Sequence, residues 1–528
     1  MTCETICECY DIVILGAGPA GLSTLSALQE SFSMDQMTDL QRNHVFSHCR
    51  KSTKGSMKRK KVAVVDPSGE WMTCWNQNFS KLGISFLRSP AMAHPDAFDG
   101  SSLVAYAVTN EREAELRASG CADHCQLQGL AEVHTGLWNL PSTPLFRDFC
   151  KDVSSRLPHT FYADHAVDIK KDASKDLNFS VHLKSGGTLK SKAVVLAMGA
   201  LGDAIIPKGI ATVPDERLLH WKNLEYSSSN PEHGIPCEWN DILVVGGGLT
   251  AVQVSQLALR GKPSCKVTLC SRRPLVEKHL DIGLEWADRR VATKCQADFY
   301  HQSVESKVAM LKEARGGGSV PPCYVRDVEN LEKKGRLTRI VGNATFHESE
   351  AELLEFMPSL QSASNFKEKG DSPLLITIES KVHRYDGVIV ACGVRPDCRK
   401  NPVCASLLQQ FNDAKQAHGF PLVTEDLEWM RNVFVVGGMA SLNLGPDAGN
   451  LMGMRRGATI VANTLRCHSW LRDTGNILAN RFGAFDDFSS SDEETESESE
   501  DESSSETPSQ DGSISSEEDL QFVLAMAE

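Results

Sequence analysis

Residues 12–21 read IVILGAGPAG and residues 242–251 read ILVVGGGLTA. Each is an apolar run, a glycine turn and the start of a helix, and the reading of this pair decides the fold. In the first stretch Gly16, Gly18 and Gly21 give the spacing GxGxxG directly after a strand. Gly16 permits the tight turn, Gly18 lets a pyrophosphate approach the backbone, and Gly21 lets helix and strand pack closely. The opening turn of the helix adds orphan N–H donors and a partial positive charge. Such a cradle needs an acid at the end of the next strand for the ribose hydroxyls, and KVAVVD ends in Asp66. Asp66 lies 66 − 21 = 45 residues past the last glycine, where roughly 20 is usual. A polar insertion over 31–61 accounts for the excess.

The second stretch offers Gly246, Gly248 and Ala251, the GxGxxA variant. Its next strand, VTLCSRR (267–273), ends in Ser271, Arg272 and Arg273, with Arg272 at 272 − 251 = 21 residues from Ala251. No acid stands there. A free ribose loses its acceptor, whereas a 2′-phosphate gains cationic partners, so the expected carrier is NADPH rather than NADH. The bland alternative is that the two arginines only solvate a strand end. Two cradles imply two dinucleotides: FAD resident on the first, and NADPH visiting the second to deliver hydride.

The rest of the chain sets bounds. Its 528 residues, 41% hydrophobic, suffice for more than one core. The formal charge of −14 is concentrated in residues 486–528, which hold 16 Asp or Glu and no Lys or Arg. Without them 69 − 16 = 53 acids face 55 bases. That leaves no basic field for nucleic acid. No stretch reaches the roughly 18–20 unbroken apolar residues of a membrane span. The first residues carry acids where a secretory leader needs a basic flank, so a cytoplasmic chain with reduced cysteines is expected. RKSTKGSMKRKK (50–61) reads as a solvated loop, with a nuclear address as the alternative. Cys3, Cys7 and Cys9 lack the companions of a zinc site, and no metal is expected.

Glycine-ended apolar strands recur at AVVLAMGA (193–200), GVIVACGVRPD (387–397) and NVFVVGGMA (432–440). Strands alternating with helices predict an α/β fold of two Rossmann-like dinucleotide-binding domains, one inserted in the other. The expected boundaries are 8–200 and 387–485 for the split FAD domain, 201–386 for the NADPH domain, and 486–528 for a disordered Ser-rich acidic tail. KEARGGGSV (312–320) and QSASNFKEKGDS (361–372) read as surface loops. The tail could serve a protein partner or simply solubilise the chain.

In this layout the chain resembles NADPH-dependent flavin monooxygenases, especially the ornithine and lysine N-hydroxylases, over residues 8–475. WMTCWNQNFSKLGISFLRSPAMAHPD (71–96) occupies the position of the family's flavin-side stretch. The resemblance puts Trp75 and Gln77 beside the flavin and Arg88 at a cationic position. VFVVGGMASLNLGPDAGNLMGMRRGA (433–458) resembles the segment that brings a helix start to the flavin, with Gly438, Asp447, Gly449 and Asn450 as the implied residues. Met198 replaces the family's Thr, and Gln253 stands where relatives often carry an acid. The fingerprint FxGxxxHxxxY/F is broken in ERLLHWKNLEY (216–226), where His220 and Tyr226 have the wrong spacing.

What the resemblance implies is FAD reduction by NADPH followed by oxygen transfer to a small amine or sulfur substrate. No acid or base need act covalently, so Arg88 and His220 are only candidates for catalytic roles. Two other readings stay open. A flavoprotein scaffold with a regulatory or interaction role would bind the cofactors without much turnover. An NADPH-dependent reductase of the disulfide-reductase fold would need a redox cysteine pair, and the chain has no Cys-x-x-Cys.

Overall fold

A computed structural model describes residues 8–29, 60–119, 137–171, 179–199, 201–225, 234–286, 289–356 and 373–467. The acidic tail, most of the 31–61 insertion, the 361–372 segment, Cys3, Cys7 and Tyr226 lie outside the described residues.

The first sheet grows outward from β1 (Glu8–Leu15), which leads through the glycine turn into α1 (Pro19–Gln29). The next strand, β2 (Val62–Val65), lies parallel to it, from Ile12 opposite Val62 to Leu15 opposite Val65. Both strands are apolar without alternation because helices and loops cover both faces. Ile12, Val13 and Ile14 are fully buried, each worth about 1.5–3 kcal/mol in removed apolar surface. Helix α2 (Thr73–Leu82) stops at Gly83, a left-handed residue whose N–H reaches the Phe79 and Ser80 carbonyls. Helix α3 (Thr143–Arg156) starts where the Ser142 hydroxyl accepts from the Leu145 N–H at 3.1 Å. Then β3 (Thr160–Tyr162) joins the free edge of β2. The hairpin β4 (Ala166–Lys171) and β5 (Phe179–Leu183) turns into β6 (Thr188–Leu196), which pairs with β1 on the side away from β2. The strands flanking β1 come from opposite directions of winding, which opens a crevice at its carboxyl end.

The chain then leaves through β7 (Gly202–Ala204). The second sheet is wholly parallel and contains β8 (Leu218–His220), β9 (Asp241–Val245), β10 (Lys266–Ser271), β11 (Leu337–Val341) and β12 (Gly387–Val390). Its spatial order is β8-β12-β9-β10-β11. Helix α4 (Leu249–Leu259) follows β9, while α5 (Val304–Arg315) and α6 (Pro322–Lys333) cross between β10 and β11. Strands Ala344–His347, Leu374–Ile378 and Lys381–Tyr385 form a small antiparallel layer. The expected boundary before Gly387 is corrected here: β12 runs beside β9 in the middle of the second sheet. Its apolar run looks like any other buried parallel strand, so sequence pattern could not say which sheet it would join.

The return is through β13 (Val394–Pro396), antiparallel to β7, so the two crossings run as one ribbon. Strand β14 (Glu428–Met430) and then β15 (Val433–Val435) bring the chain back to the first sheet beside β6. The glycines that follow form a tight 3₁₀ turn over Gly437–Ala440 rather than more strand. Helix α7 (Leu451–Cys467) completes the described chain and packs along α1.

Candidate functional site

At the first cradle the three glycines divide their work as the spacing predicts. Gly16 has φ +108°, and a Cβ there would sit 2.4 Å from the Ala197 carbonyl oxygen. A Cβ on Gly21 would lie 2.0 Å from the Gly16 oxygen. A Cβ on Gly18, by contrast, would meet nothing within 4 Å. The turn is therefore closed on the protein side and open where a pyrophosphate would approach, so this cradle fits FAD. Asp66 braces it: one carboxylate oxygen accepts from the Ala17 N–H at 2.9 Å, the other from the Ser68 N–H at 3.0 Å and the Ser68 hydroxyl at 2.5 Å. The oxygen that faces Ala17 keeps a lone pair for a ribose hydroxyl.

The second turn is built the same way but meets a different neighbour. A Cβ on Gly246 would lie 2.5 Å from the Ala391 oxygen and 2.9 Å from the Ala251 side chain. Ser271 is buried, its hydroxyl donating to the Arg273 carbonyl at 2.7 Å. Arg272 is exposed and makes no hydrogen bond or ion pair among the described residues, which leaves its fork available to a phosphate. Gly248, however, lies under the glycine loop that follows α5. Gly316, Gly317 and Gly318 all have positive φ, and a Cβ on Gly318 would be 2.9 Å from the Gly248 Cα. Arg273 lies against Gly317. The reading of KEARGGGSV as a surface loop is thereby corrected: Ser319 and Val320 are buried, and Val320 exchanges backbone bonds with Val276 and Lys278. A polar, glycine-rich composition signals turns, and three glycines also allow a backbone to lie directly on another backbone. The residues around the turn fit NADPH, provided this loop withdraws from Gly248.

Arg88 holds that loop from the flavin-side segment. Its guanidinium donates to the carbonyls of His279 at 2.8 Å, Lys278 at 2.8 Å and Ser319 at 3.2 Å, and to the Ser319 hydroxyl at 2.9 Å. It is a clamp between segments some 190–231 positions apart. His220, the other candidate, ends β8 and is buried; its Nδ1 faces the Lys222 N–H at 3.3 Å. Burial and the nearby Lys222 push its pKa down, which keeps the ring neutral. It does not line the cavity described below.

Trp75 and Gln77 both lie on α2; Trp75 stacks on Phe79 with centroids 4.5 Å apart, and Gln77 is exposed. Gly438 and Gly449 approach each other, a Cβ on either lying 3.8 Å from the other's Cα. Asn450 precedes α7 and donates to Asp281 at 3.1 Å. Asp447 is buried, and its two oxygens accept from Arg456 at 2.6 and 2.7 Å, so it positions the start of α7. Arg315, at the end of α5, donates to the Pro446 carbonyl at 3.2 Å and ties this segment to the loop over Gly248. Neither Arg315 nor Arg456 stood out in the sequence, since nothing local marks an arginine whose partner is a distant carbonyl or a buried acid.

Between α2, α4 and α6 opens a cavity of about 910 Å³. Among the described residues four cationic side chains, Arg88, Arg117, Lys278 and Arg326, and one carboxylate, Glu277, line it. Leu249, the first residue of α4, ties it to the second cradle, although Ser271, Arg272 and Arg273 are not part of it. Among the described residues no cluster of His, Cys, Asp and Glu could hold a metal ion, and no helix is long and apolar enough to cross a membrane.

Fold and site together define a two-dinucleotide α/β oxidoreductase. The family model described as pyridine nucleotide-disulphide oxidoreductase matches residues 10–338, and the chain belongs to that family. Among solved structures it is similar to the ornithine N-hydroxylase of Kutzneria sp. 744, with 15% identity, a TM-score of 0.57, and 86% of this chain and 98% of that one covered. It is also similar to the ornithine hydroxylase of Pseudomonas aeruginosa, at 14% identity, TM-score 0.57, and 87% and 98% coverage. For the cadaverine monooxygenase of Erwinia amylovora the values are 13%, 0.56, and 86% and 94%. At such identities the likeness is one of fold. No curated protein matches the sequence.

Proposed function

We propose that the chain is an FAD-dependent, NADPH-using oxidoreductase that hydroxylates a small nucleophilic amine or sulfur compound. The observation that carries this reading is the pairing of an open, acid-braced cradle at Gly18 with a second turn whose following strand ends in Arg272, which makes no hydrogen bond or ion pair among the described residues. Bound FAD, once reduced by NADPH, supplies the activation of oxygen. The chain's own residues bind and position. The N–H groups opening α1 hold the flavin's pyrophosphate and Asp66 its ribose, with Trp75, Gln77, Gly438, Gly449 and Asn450 flanking the ring. Ser271, Arg272 and Arg273 receive the phosphorylated ribose of NADPH. The amine class follows the fold likeness to hydroxylases of ornithine and cadaverine. Residues 8–200, with the chain after β12, make up the FAD domain in this reading.

Disulfide exchange is disfavoured by the cysteines: Cys74, the one in the flavin-side stretch, is exposed, unpaired and without a Cys-x-x-Cys partner. A scaffold that binds flavin with little turnover is the second reading, favoured by the loop seated on Gly248. The test is a visible spectrum of the purified full chain, an anaerobic NADPH titration, and NADPH oxidation in air with and without a panel of amines. A yellow protein that bleaches with NADPH and yields N-hydroxylated product supports oxygen transfer. Flavin that stays oxidised under NADPH supports the scaffold, and a colourless protein that refuses added FAD overturns both.

A further inference from the structure

The cavity between α2, α4 and α6 is lined mainly by cations among its charged side chains. None of its cations is one of the arginines after β10 that are assigned above to the phosphorylated ribose. Arg117 lies over the Phe86 ring, 4.3 Å from its centroid, so the guanidinium is oriented by an aromatic face. Its N–H donors have no side-chain partner among the described residues. Tyr324, half-buried on α6, accepts from the Gln253 amide at 3.3 Å, and its own hydroxyl proton has no acceptor among the described residues. Burial pushes its pKa up, so the hydroxyl keeps that proton. Lys278 and Arg326 make no ion pair among the described residues. The same cavity is also lined by the apolar side chains of Phe79, Ile84, Leu140, Leu249 and Leu280. A volume near 910 Å³ lies at the upper end of the roughly 300–1,000 Å³ usual for small-molecule sites.

We propose that this cavity binds a small carboxylate-bearing molecule with an apolar body, the carboxylate held by Arg117 and the Tyr324 hydroxyl. This deepens the proposed function by naming a substrate class, and rests on it only for the claim that the bound molecule is oxidised. A carboxylate suits the planar fork of an arginine, which it meets with two parallel bonds, and accepts a further bond from a phenol. A purely cationic diamine would face four cations and one acid, a mismatch that disfavours it.

The experiment is calorimetric titration of the full chain with phenylbutyrate and with phenylbutylamine, which share an apolar body and differ in head-group charge. Phenylbutyrate is expected to bind and phenylbutylamine to bind at least about tenfold more weakly. Arg117→Ala is expected to weaken phenylbutyrate about tenfold or more, and Tyr324→Phe about threefold to tenfold, with flavin content unchanged. Arg117 is exposed, so its variant folds, and Tyr324→Phe keeps the ring in place. Equal or tighter binding of the amine, or phenylbutyrate affinity unmoved in both variants, overturns the proposal. A colourless protein that binds phenylbutyrate through Arg117 defeats oxygen transfer alone; a yellow, NADPH-bleached protein indifferent to phenylbutyrate defeats the carboxylate site alone.

Discussion

Gly16 and Gly18 stand two positions apart and carry opposite constraints. Gly16→Ala drives a Cβ into the Ala197 carbonyl at a positive φ, and is expected to destabilise the fold by several kcal/mol in urea unfolding. Gly18→Val has open space, so its melting temperature should stay near that of the parent while FAD retention falls tenfold or more, read by flavin absorbance per chain. Arg272→Ala should narrow the preference for NADPH over NADH by about tenfold or more, read as the ratio of their dissociation constants. These residues were legible because each is defined by its own strand-turn-helix neighbourhood. Arg88 was visible only as a charge. Its carbonyl partners come from turns around 279 and 319, and no local pattern encodes a contact at that separation.

Helix α7 starts where Asp447 grips Arg456, a buried acid with its partner three-quarters covered. Asp447→Ala leaves that guanidinium without its counter-charge, and a loss of about 3 kcal/mol in urea unfolding is expected. A second acid ties the loop before α3 to that helix: Asp96 is buried and accepts from Arg156 at 2.7 Å. Burial alone would raise its pKa, but the His94 ring, the Phe98 N–H and Arg156 together hold it below the usual carboxylate range. Its folded-state pKa is thus depressed, so its contribution to stability is complete above the unfolded value of about 3.9 and disappears as pH falls through the folded value. Urea midpoints measured from pH 6 to pH 2.5 should drop over the acid end of that range, less steeply in Asp96→Asn. Element existence was largely readable from apolar runs and glycine stops. The glycine loop after α5 was misread because composition reports which backbone angles are allowed and not what lies beneath them.

Across the whole molecule the two cradles belong to separate sheets, the first mixed and the second parallel, joined by the β7 and β13 ribbon. The two-sheet plan follows from having two strand-turn-helix signals with intervening strands. The membership of β12 does not, since parallel pairing is non-local and every central strand presents the same apolar face on both sides. The cavity was likewise illegible: its walls come from six separated stretches between Phe79 and Arg326, and only the fold juxtaposes them. The two sites therefore differ in readiness, with open space at Gly18 and a backbone lying on Gly248.

That difference has a kinetic signature. If the carrier can dock only in the fraction of molecules whose triple-glycine segment has swung out, the observed rate of NADP⁺ association should level off with concentration at the opening rate, instead of climbing linearly. Stopped-flow quenching of tryptophan emission reads this directly. Arg88→Ala, which releases Ser319 from its anchor, should raise that ceiling, and a straight, unsaturating line in the parent protein would mean that the seat at Gly248 is vacated without delay.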